Sequence, residues 1–266
     1  MQAAKTRPGL DQLAWLAREA GIEVMAVYEG AMTVGRKADQ SPVTEADVRA
    51  EAVILRGLAA LSPGVPVVAE EEMAAGRAPE VDMAQPFWLV DPLDGTREFI
   101  QRNGQFTVNI ALIEHGQPVL GVVYAPALQR LFAGDVRSGA WEETPQGRRP
   151  ITGRAVPSEG LSVLASRSHG DAAALKAFLA PYPVASVTSA GSSLKLCLLA
   201  AGEADMYPRL GRTMGWDIAA GHAVVVAAGG TVQGLGGQPM GYAVPGFENP
   251  HFVAWGRAPQ ASGSGA

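Results

Sequence analysis

The sequence predicts a layered α/β fold of the mixed α+β kind, and three observations carry that prediction. The first half holds long apolar runs joined by a tight turn, as antiparallel strands do; the second half alternates strand-like and helical runs. Ahead of both, the N-terminus shows apolar residues at helical spacing. Elements of these kinds bury their apolar faces by stacking in layers.

Taken in order, Leu13, Leu16, Ala17, Ala20, Val24 and Val27 predict a helix from Leu10 to Tyr28. A second helix is predicted from Glu45 to Leu61, where Thr44 to Asp47 resembles a capping box with Asp in place of Glu. "VPVVA" (Val65 to Ala69) and "FWLV" (Phe87 to Val90) read as buried strands. "FTVNIALIEHGQPVLGVVYAP" reads as two long strands around the turn Glu114 to Gln117, and "LFAGD" as a third. The Gly/Pro/Arg-rich patch from Thr144 to Pro157 marks a boundary between sub-domains 1–155 and 156–266. Beyond it come "LSVLAS", a helix from Asp171 to Leu179, "ASVTS", a helix from Ser192 to Ala201 and "ADMYP". A helix from Trp216 to Ala228, "GTVQG" and "HFVAW" complete the series.

The 266 residues are 47% hydrophobic and 18% charged, a globular balance that excludes a disordered chain. No apolar run reaches the roughly 20 residues of a spanning helix, and the start "MQAAKTRPGLDQLAW" lacks the apolar core of a secretory signal. One cysteine, Cys197, makes no internal disulfide and reads as a small core residue. These features predict a cytoplasmic protein, with peripheral attachment to the inner membrane left open, as is monomer or homodimer. A net charge of −5 argues against a nucleic-acid polymer as partner but suits a small phosphorylated ligand held in a local cationic pocket.

The stretch "WLVDPLDGTREFI", Trp88 to Ile100, runs an apolar strand into two carboxylates, Asp91 and Asp94. Open α/β sheets place ligand sites at such strand ends. Pro92 blocks a helix, so the segment is expected to turn and aim both side chains at one spot. Glu70, Glu71 and Glu72 follow the strand "VPVVA", Asp217 opens an apolar helix, and Asp47 lies in "VTEAD". Oxygen donors of this kind, with no Cys/His cluster, select Mg²⁺, Mn²⁺ or Ca²⁺. Two ions roughly 3.5–4 Å apart would clamp the attacking and leaving oxygens of a phosphoryl group. Each residue has a plainer reading: Asp91 and Asp94 as turn or helix caps, Asp217 as an N-cap, Thr44 to Asp47 as a cap, "EEE" as a solvated run. Their joint placement at strand ends and helix starts favours the metal site. Gly95 lets backbone approach a ligand, and a helix opened by Thr96 would turn free N–H groups toward a phosphate. "DPLDGT" sets two residues between its aspartates, unlike the Asp-x-Asp-Gly-Thr of aspartyl-phosphate enzymes, so metal-activated water is the expected nucleophile.

"VVAEEE", "WLVDPLDGT" and "WDIAAGHAVVVAAGG", in this order across nearly the whole chain, resemble the inositol monophosphatase superfamily. The resemblance implies an αβαβα sandwich of the inositol monophosphatase and fructose-1,6-bisphosphatase type, with Mg²⁺-dependent, Li⁺-sensitive phosphomonoester hydrolysis. It implies two or three Mg²⁺ ions, with Mn²⁺ as substitute, held by Glu70, Asp91, the carbonyl of Leu93, Asp94 and Asp217. Most ligands then fall before residue 155, and the last in the C-terminal half. It assigns catalysis to Asp47 and Thr96, with Glu71 beside them and second choice as ligand, because Ala69 and three Glu stand where the family has Gly or Ser and an acidic pair. Gly95 and Thr96 would bind phosphate.

"DGTREFIQRNGQFTVNIALIE" and "GSSLKLCLLAAGEADMYPRLGRTMGWD" further resemble bacterial 3′(2′),5′-bisphosphate nucleotidases, which convert adenosine 3′,5′-bisphosphate, a by-product of sulfate assimilation, to AMP. The second phosphate needs cations away from the metals. Ser192 and Lys195, three apart on a predicted helix, share a face, and Arg209 follows the strand "ADMYP". His169 matches a position near the ribose or base. The plainer readings are a snorkelling Lys195, an Arg209 paired with Asp205 or Glu203, and a solvated His169. An inositol monophosphatase, a broad-specificity sugar phosphatase and a non-catalytic Mg²⁺- or nucleotide-binding regulator are the alternatives.

Overall fold

The computed structural model describes residues 7–30, 33–37, 42–77, 79–167 and 172–257. The chain runs α1 (Leu10–Glu29), β1 (Val34–Arg36), β2 (Pro42–Thr44), α2 (Glu45–Leu61), β3 (Val67–Ala69), α3 (Glu70–Ala74), β4 (Phe87–Asp94) and α4 (Thr96–Ile100). It continues β5 (Thr107–Glu114), β6 (Gln117–Ala125), β7 (Arg130–Asp135), β8 (Gly139–Thr144), β9 (Gly147–Ile151), β10 (Leu161–Ser166), α5 (Ala172–Leu179) and β11 (Val184–Ala190). It ends α6 (Leu194–Ala200), β12 (Met206–Arg209), α7 (Gly215–Ala227), β13 (Thr231–Gly234) and β14 (Phe252–Trp255).

Among the described residues, a seven-stranded sheet is ordered β3-β4-β5-β6-β7-β8-β9 and a five-stranded sheet β11-β10-β12-β14-β13. Every neighbour pair of the first is antiparallel except β3–β4, whereas β10 lies parallel to β11 and β12. α1 and α2 cover one face of the large sheet, and α7 lies across its other face with α6 beside it. α6 meets β12 and β14 of the small sheet, while Leu175, Phe178 and Leu179 of α5 pack with Val163, Met206 and Trp255. The layers are therefore α1/α2, large sheet, α6/α7, small sheet, α5, the sandwich the resemblance implies. One core cluster joins Phe87 and Ala111 of the large sheet to Leu196, Trp216 and Phe252, so the two sheets share an interior.

The helix spacings translate directly into burial: Leu13, Leu16, Ala17, Ala20, Val24 and Val27 form the inward stripe of α1. α7 sits unusually close to its sheet. Gly121 and Gly134 pair across β6 and β7, and a Cβ on Gly121 would stand 2.2 Å from the Ala220 carbonyl oxygen. One on Gly134 would stand 2.7 Å from Val224 Cα, so bare backbone is what lets the helix settle there.

Three expectations are corrected, and two features come without any expectation. The segment after Val90 does not turn: β4 runs through to Asp94, carrying a bulge between Asp91 and Asp94. Asp91 pairs with Asn109 and Asp94 with Thr107, three steps on β4 against two on β5. Side chains alternate faces along a strand, so carboxylates three apart would point oppositely, and the extra residue returns both to one side. Pro92, lacking an N–H, falls where no ladder bond is required. Secondly, the Thr144 to Pro157 patch is partly strand, because Arg148–Ile151 pair with β8 despite their polarity. Thirdly, α6 begins at Leu194, since Ser192 has a left-handed φ of 47°. Lastly, the β1–β2 hairpin and α3 were not expected at all. No helix among the described residues is long and apolar enough to cross a membrane.

Candidate active site

The acidic residues converge where β3, β4 and α7 end or begin. Donor oxygens of Glu70, Asp91 and Asp217 lie within 4.8 Å of one another. Asp91 is 1% exposed, and its Oδ1 accepts the Leu93 N–H at 3.0 Å. Burial, then the charges of Glu70, Asp94 and Asp217, push its carboxyl well above the ordinary range. Asp217 stands at the third position of α7, where its Oδ2 accepts the Met214 N–H at 2.8 Å; it caps the helix from within rather than as N-cap. Burial, then Asp94 and Glu70, push it up as well. Asp94 accepts the Ser193 N–H at 2.5 Å, and burial raises it to about 6 against the pull of Lys195. Hard oxygen donors that repel one another in a buried cluster match the needs of a divalent cation. The donor set fits such an ion.

Glu70 and Glu71 open α3, and Lys37 Nζ reaches both at 2.6 Å. Glu51, buried on α2, accepts the N–H groups of Glu71 (2.8 Å) and Glu72 (3.1 Å). Burial raises Glu51 and Glu71 each to about 7. The acidic run is thus no solvated stretch, apart from Glu72, which pairs with Arg77.

Asp47 is 1% exposed and completes the capping box, its Oδ2 accepting the Thr44 N–H and hydroxyl, both at 2.8 Å. Its Oδ1 accepts the Thr96 hydroxyl at 3.5 Å, and burial raises its carboxyl to about 6. Thr96 Oγ1 also lies 3.4 Å from the Leu93 carbonyl. Gly95, at φ 90°, makes the left-handed turn into the single-turn α4, a conformation L side chains resist.

A cavity of about 480 Å³ opens over this cluster. Lys37, Glu70, Asp94 and Asp217 line it, as do Ser192, Lys195, Arg209 and Arg167. Lys195 does not snorkel: it is 5% exposed, and its Nζ donates to the carbonyls of Ala190 (3.1 Å) and Ser192 (2.7 Å). Burial lowers it to about 8, with Asp94 pulling the other way. Ser192 precedes α6 rather than sharing its face, yet the left-handed turn brings it to the same wall. Arg209, 7% exposed, donates to the Arg212 carbonyl at 2.9 Å. Asp205 is held by Arg154 at 2.7 Å and Glu203 by Arg130. His169 lies outside the described residues. Cys197 is buried in the core, and Trp216, although mostly buried, also lines the cavity.

Lys37, Glu51, Asn109 and Ser193 belong to this site and were not foreseen. Asn109 and Ser193 had one readable signal each, a polar residue inside an apolar strand and a second serine beside Ser192. Lys37 and Glu51 had none.

A family model that describes the inositol monophosphatase family matches residues 8–260 of the chain. The chain belongs to that family. A 3′(2′),5′-bisphosphate nucleotidase CysQ of Escherichia coli K12 is 49% identical over 246 residues, 91% of this chain and 98% of that protein. Its counterpart in Buchnera aphidicola is 42% identical over 93% of this chain and 94% of that protein. Among solved members of the family, CysQ from Bacteroides thetaiotaomicron superposes with a TM-score of 0.78 at 34% identity, covering 93% of this chain and 98% of that one. An inositol monophosphatase from Anabaena does so at 0.75 and 26%, covering 93% and 90%.

Proposed function

We propose that this chain is a 3′(2′),5′-bisphosphate nucleotidase that hydrolyses the 3′-phosphate of adenosine 3′,5′-bisphosphate to AMP and phosphate. The observation that carries the reading is a cavity lined both by carboxylates of the acidic cluster and by the buried cations Lys195 and Arg209, the charges a bis-phosphorylated nucleotide needs. Glu70, Asp91, Asp94, Asp217 and the Leu93 carbonyl would hold two or three Mg²⁺ ions, with Mn²⁺ as substitute. Such ions supply charge neutralisation at the phosphoryl oxygens and a lowered pKa for water. Asp47 and Thr96 orient the attacking water, and Asp47, at about 6, takes its proton near neutral pH. Glu71 supports this pair through Lys37. The backbone at Gly95 and Thr96 faces the phosphate. Lys195, still charged at neutral pH, and Arg209 balance the second phosphate, with Ser192 on the same wall. The similarity to CysQ proteins supports the nucleotide over a sugar phosphate.

The test is phosphate release from adenosine 3′,5′-bisphosphate, inositol 1-phosphate and fructose 1,6-bisphosphate with Mg²⁺, with and without Li⁺, for the wild-type chain and Asp94→Asn. A preference of about tenfold, some 1.4 kcal/mol, for the nucleotide is expected, with near-complete loss in the variant and an unchanged circular dichroism spectrum. Equal or better turnover of inositol phosphate sinks the nucleotide assignment. An Asp94→Asn variant that keeps most of its rate sinks the metal site.

A further inference from the structure

Two elements that carry acidic residues of the site, and a third that carries Asn109, meet at one buried serine. Ser193 is 2% exposed, and its backbone N–H donates to Asp94 Oδ2 at the end of β4 at 2.5 Å. Its hydroxyl donates to the backbone carbonyl of Asp217 in the first turn of α7. The same hydroxyl accepts Asn109 Nδ2 of β5 at 3.1 Å, and Asn109 Nδ2 also lies 3.5 Å from Asp94 Oδ2. A hydroxyl has one proton to give, so the direction of this chain of bonds is set: Asn109 to Ser193 to Asp217.

The turn bearing Ser193 is itself pinned. Ser192 holds a left-handed φ of 47°, and a Cβ on Gly191 would stand 2.6 Å from the Gln105 carbonyl oxygen and 2.7 Å from Glu98 Cγ. Such a conformation costs roughly 1–3 kcal/mol and persists where the surroundings over-determine it. Here it places one residue against two carboxylate-bearing elements and turns Ser192 and Lys195 toward the cavity.

We propose that Ser193 is a positioning residue for the metal site: its hydroxyl, oriented by Asn109, sets the start of α7 and hence the distance of Asp217 from Asp91 and Asp94. The inference rests on the reading of those aspartates as metal ligands. Partners behind metal ligands typically account for 10–100-fold in affinity, so removal of the hydroxyl acts on metal binding before it acts on the fold.

Mn²⁺ binding to the full chain without substrate, followed by calorimetry and by the electron paramagnetic resonance of free Mn²⁺ at 25 °C, tests it. Ser193→Ala is expected to weaken binding about tenfold, Asn109→Ala by a smaller factor, and Ser193→Thr, which keeps the hydroxyl, to bind within about threefold of wild type. Far-UV circular dichroism and Tm are recorded on the same samples. A purely structural role would lower Tm and leave the Mn²⁺ affinity of the folded protein unmoved. If Ser193→Ala, or Asn109→Ala should the serine variant fail to fold, binds Mn²⁺ within twofold of wild type, the inference is overturned while the metal site stands. A wild-type chain that binds no Mn²⁺ overturns both.

Discussion

The acidic cluster and the buried cations of the cavity solve opposite electrostatic problems in opposite ways. Among the acids Glu70, Asp91 and Asp217 crowd together, Asp91 and Asp217 pushed well above their ordinary range, with Lys37 the cation that pairs with Glu70 and Glu71. Lys195 is equally buried, yet backbone carbonyls of Ala190 and Ser192 accept from it, as the Arg212 carbonyl accepts from Arg209. The acidic cluster is complete only with charge brought from outside; the cations are held by carbonyl dipoles, and Lys195 by the charge of Asp94 as well. Metal loading and substrate choice should therefore be separable by mutation.

The largest effect expected is from Asp91→Asn. An amide keeps the acceptor for the Leu93 N–H but removes a buried charge that Glu70, Asp94 and Asp217 repel. Mg²⁺-dependent kcat/KM should fall about a thousandfold, the scale of losing a principal electrostatic contact. The Tm of the metal-free protein should meanwhile rise, and a fall in both would show that the carboxylate serves the fold. Next, Arg209→Glu should lower kcat/KM for adenosine 3′,5′-bisphosphate about a hundredfold, some 2.7 kcal/mol, and that for inositol 1-phosphate far less. Equal losses on both substrates would erase the distinction between the acidic cluster and the buried cations.

The smallest effect is thermodynamic and needs no mutation. Glu51 and Glu71, raised to about 7, keep protons in the folded state that the unfolded chain has shed by pH 6.5, and burial and mutual repulsion shift Asp91 and Asp217 in the same direction. The folded state then binds more protons, so stability falls as pH rises from 6.5 to 8. Lys195, lowered to about 8, acts between 8 and its ordinary value of 10.5, where the unfolded chain holds the extra proton and stability rises with pH. His222, held near 3 by burial, acts with that same sign below 6.5. The window between isolates the acidic cluster: metal-free Tm should drop by a few degrees across it, and saturating Mg²⁺ should flatten the slope. A metal-free Tm that is flat or rising would mean the carboxylates are not strained as described.

Much of this was legible because motif and burial coincide. Helical spacing placed α1 and α2, and strand ends placed Asp91, Asp94 and Glu70. Asp47 and Asp217 carry their capping role and their place at the site together, so the two readings of each were never exclusive. What stayed hidden depends on contacts between distant residues. Lys37 meets α3 across 33 positions and Ser193 meets Asp94 across 99, and no local pattern encodes either. The bulge in β4 also escaped notice, because Pro92 signals a break in pairing without saying whether the chain turns or slips by one residue. β9 was missed since its pairing with β8 is bound by backbone, while its side chains are mostly exposed and polar.

Gly121 and Gly134 carry one more consequence. Most helices ride on a cushion of side chains whose thickness drifts as residues are exchanged over evolutionary time. Here α7 rests on peptide planes, so the height of the helix above the sheet is gauged by covalent geometry, a standard that exchanges in the surrounding side-chain filling do not reset. Ser193 then fixes where the first turn lies on that bed, and a side chain gained at either glycine would lever the whole helix out of true.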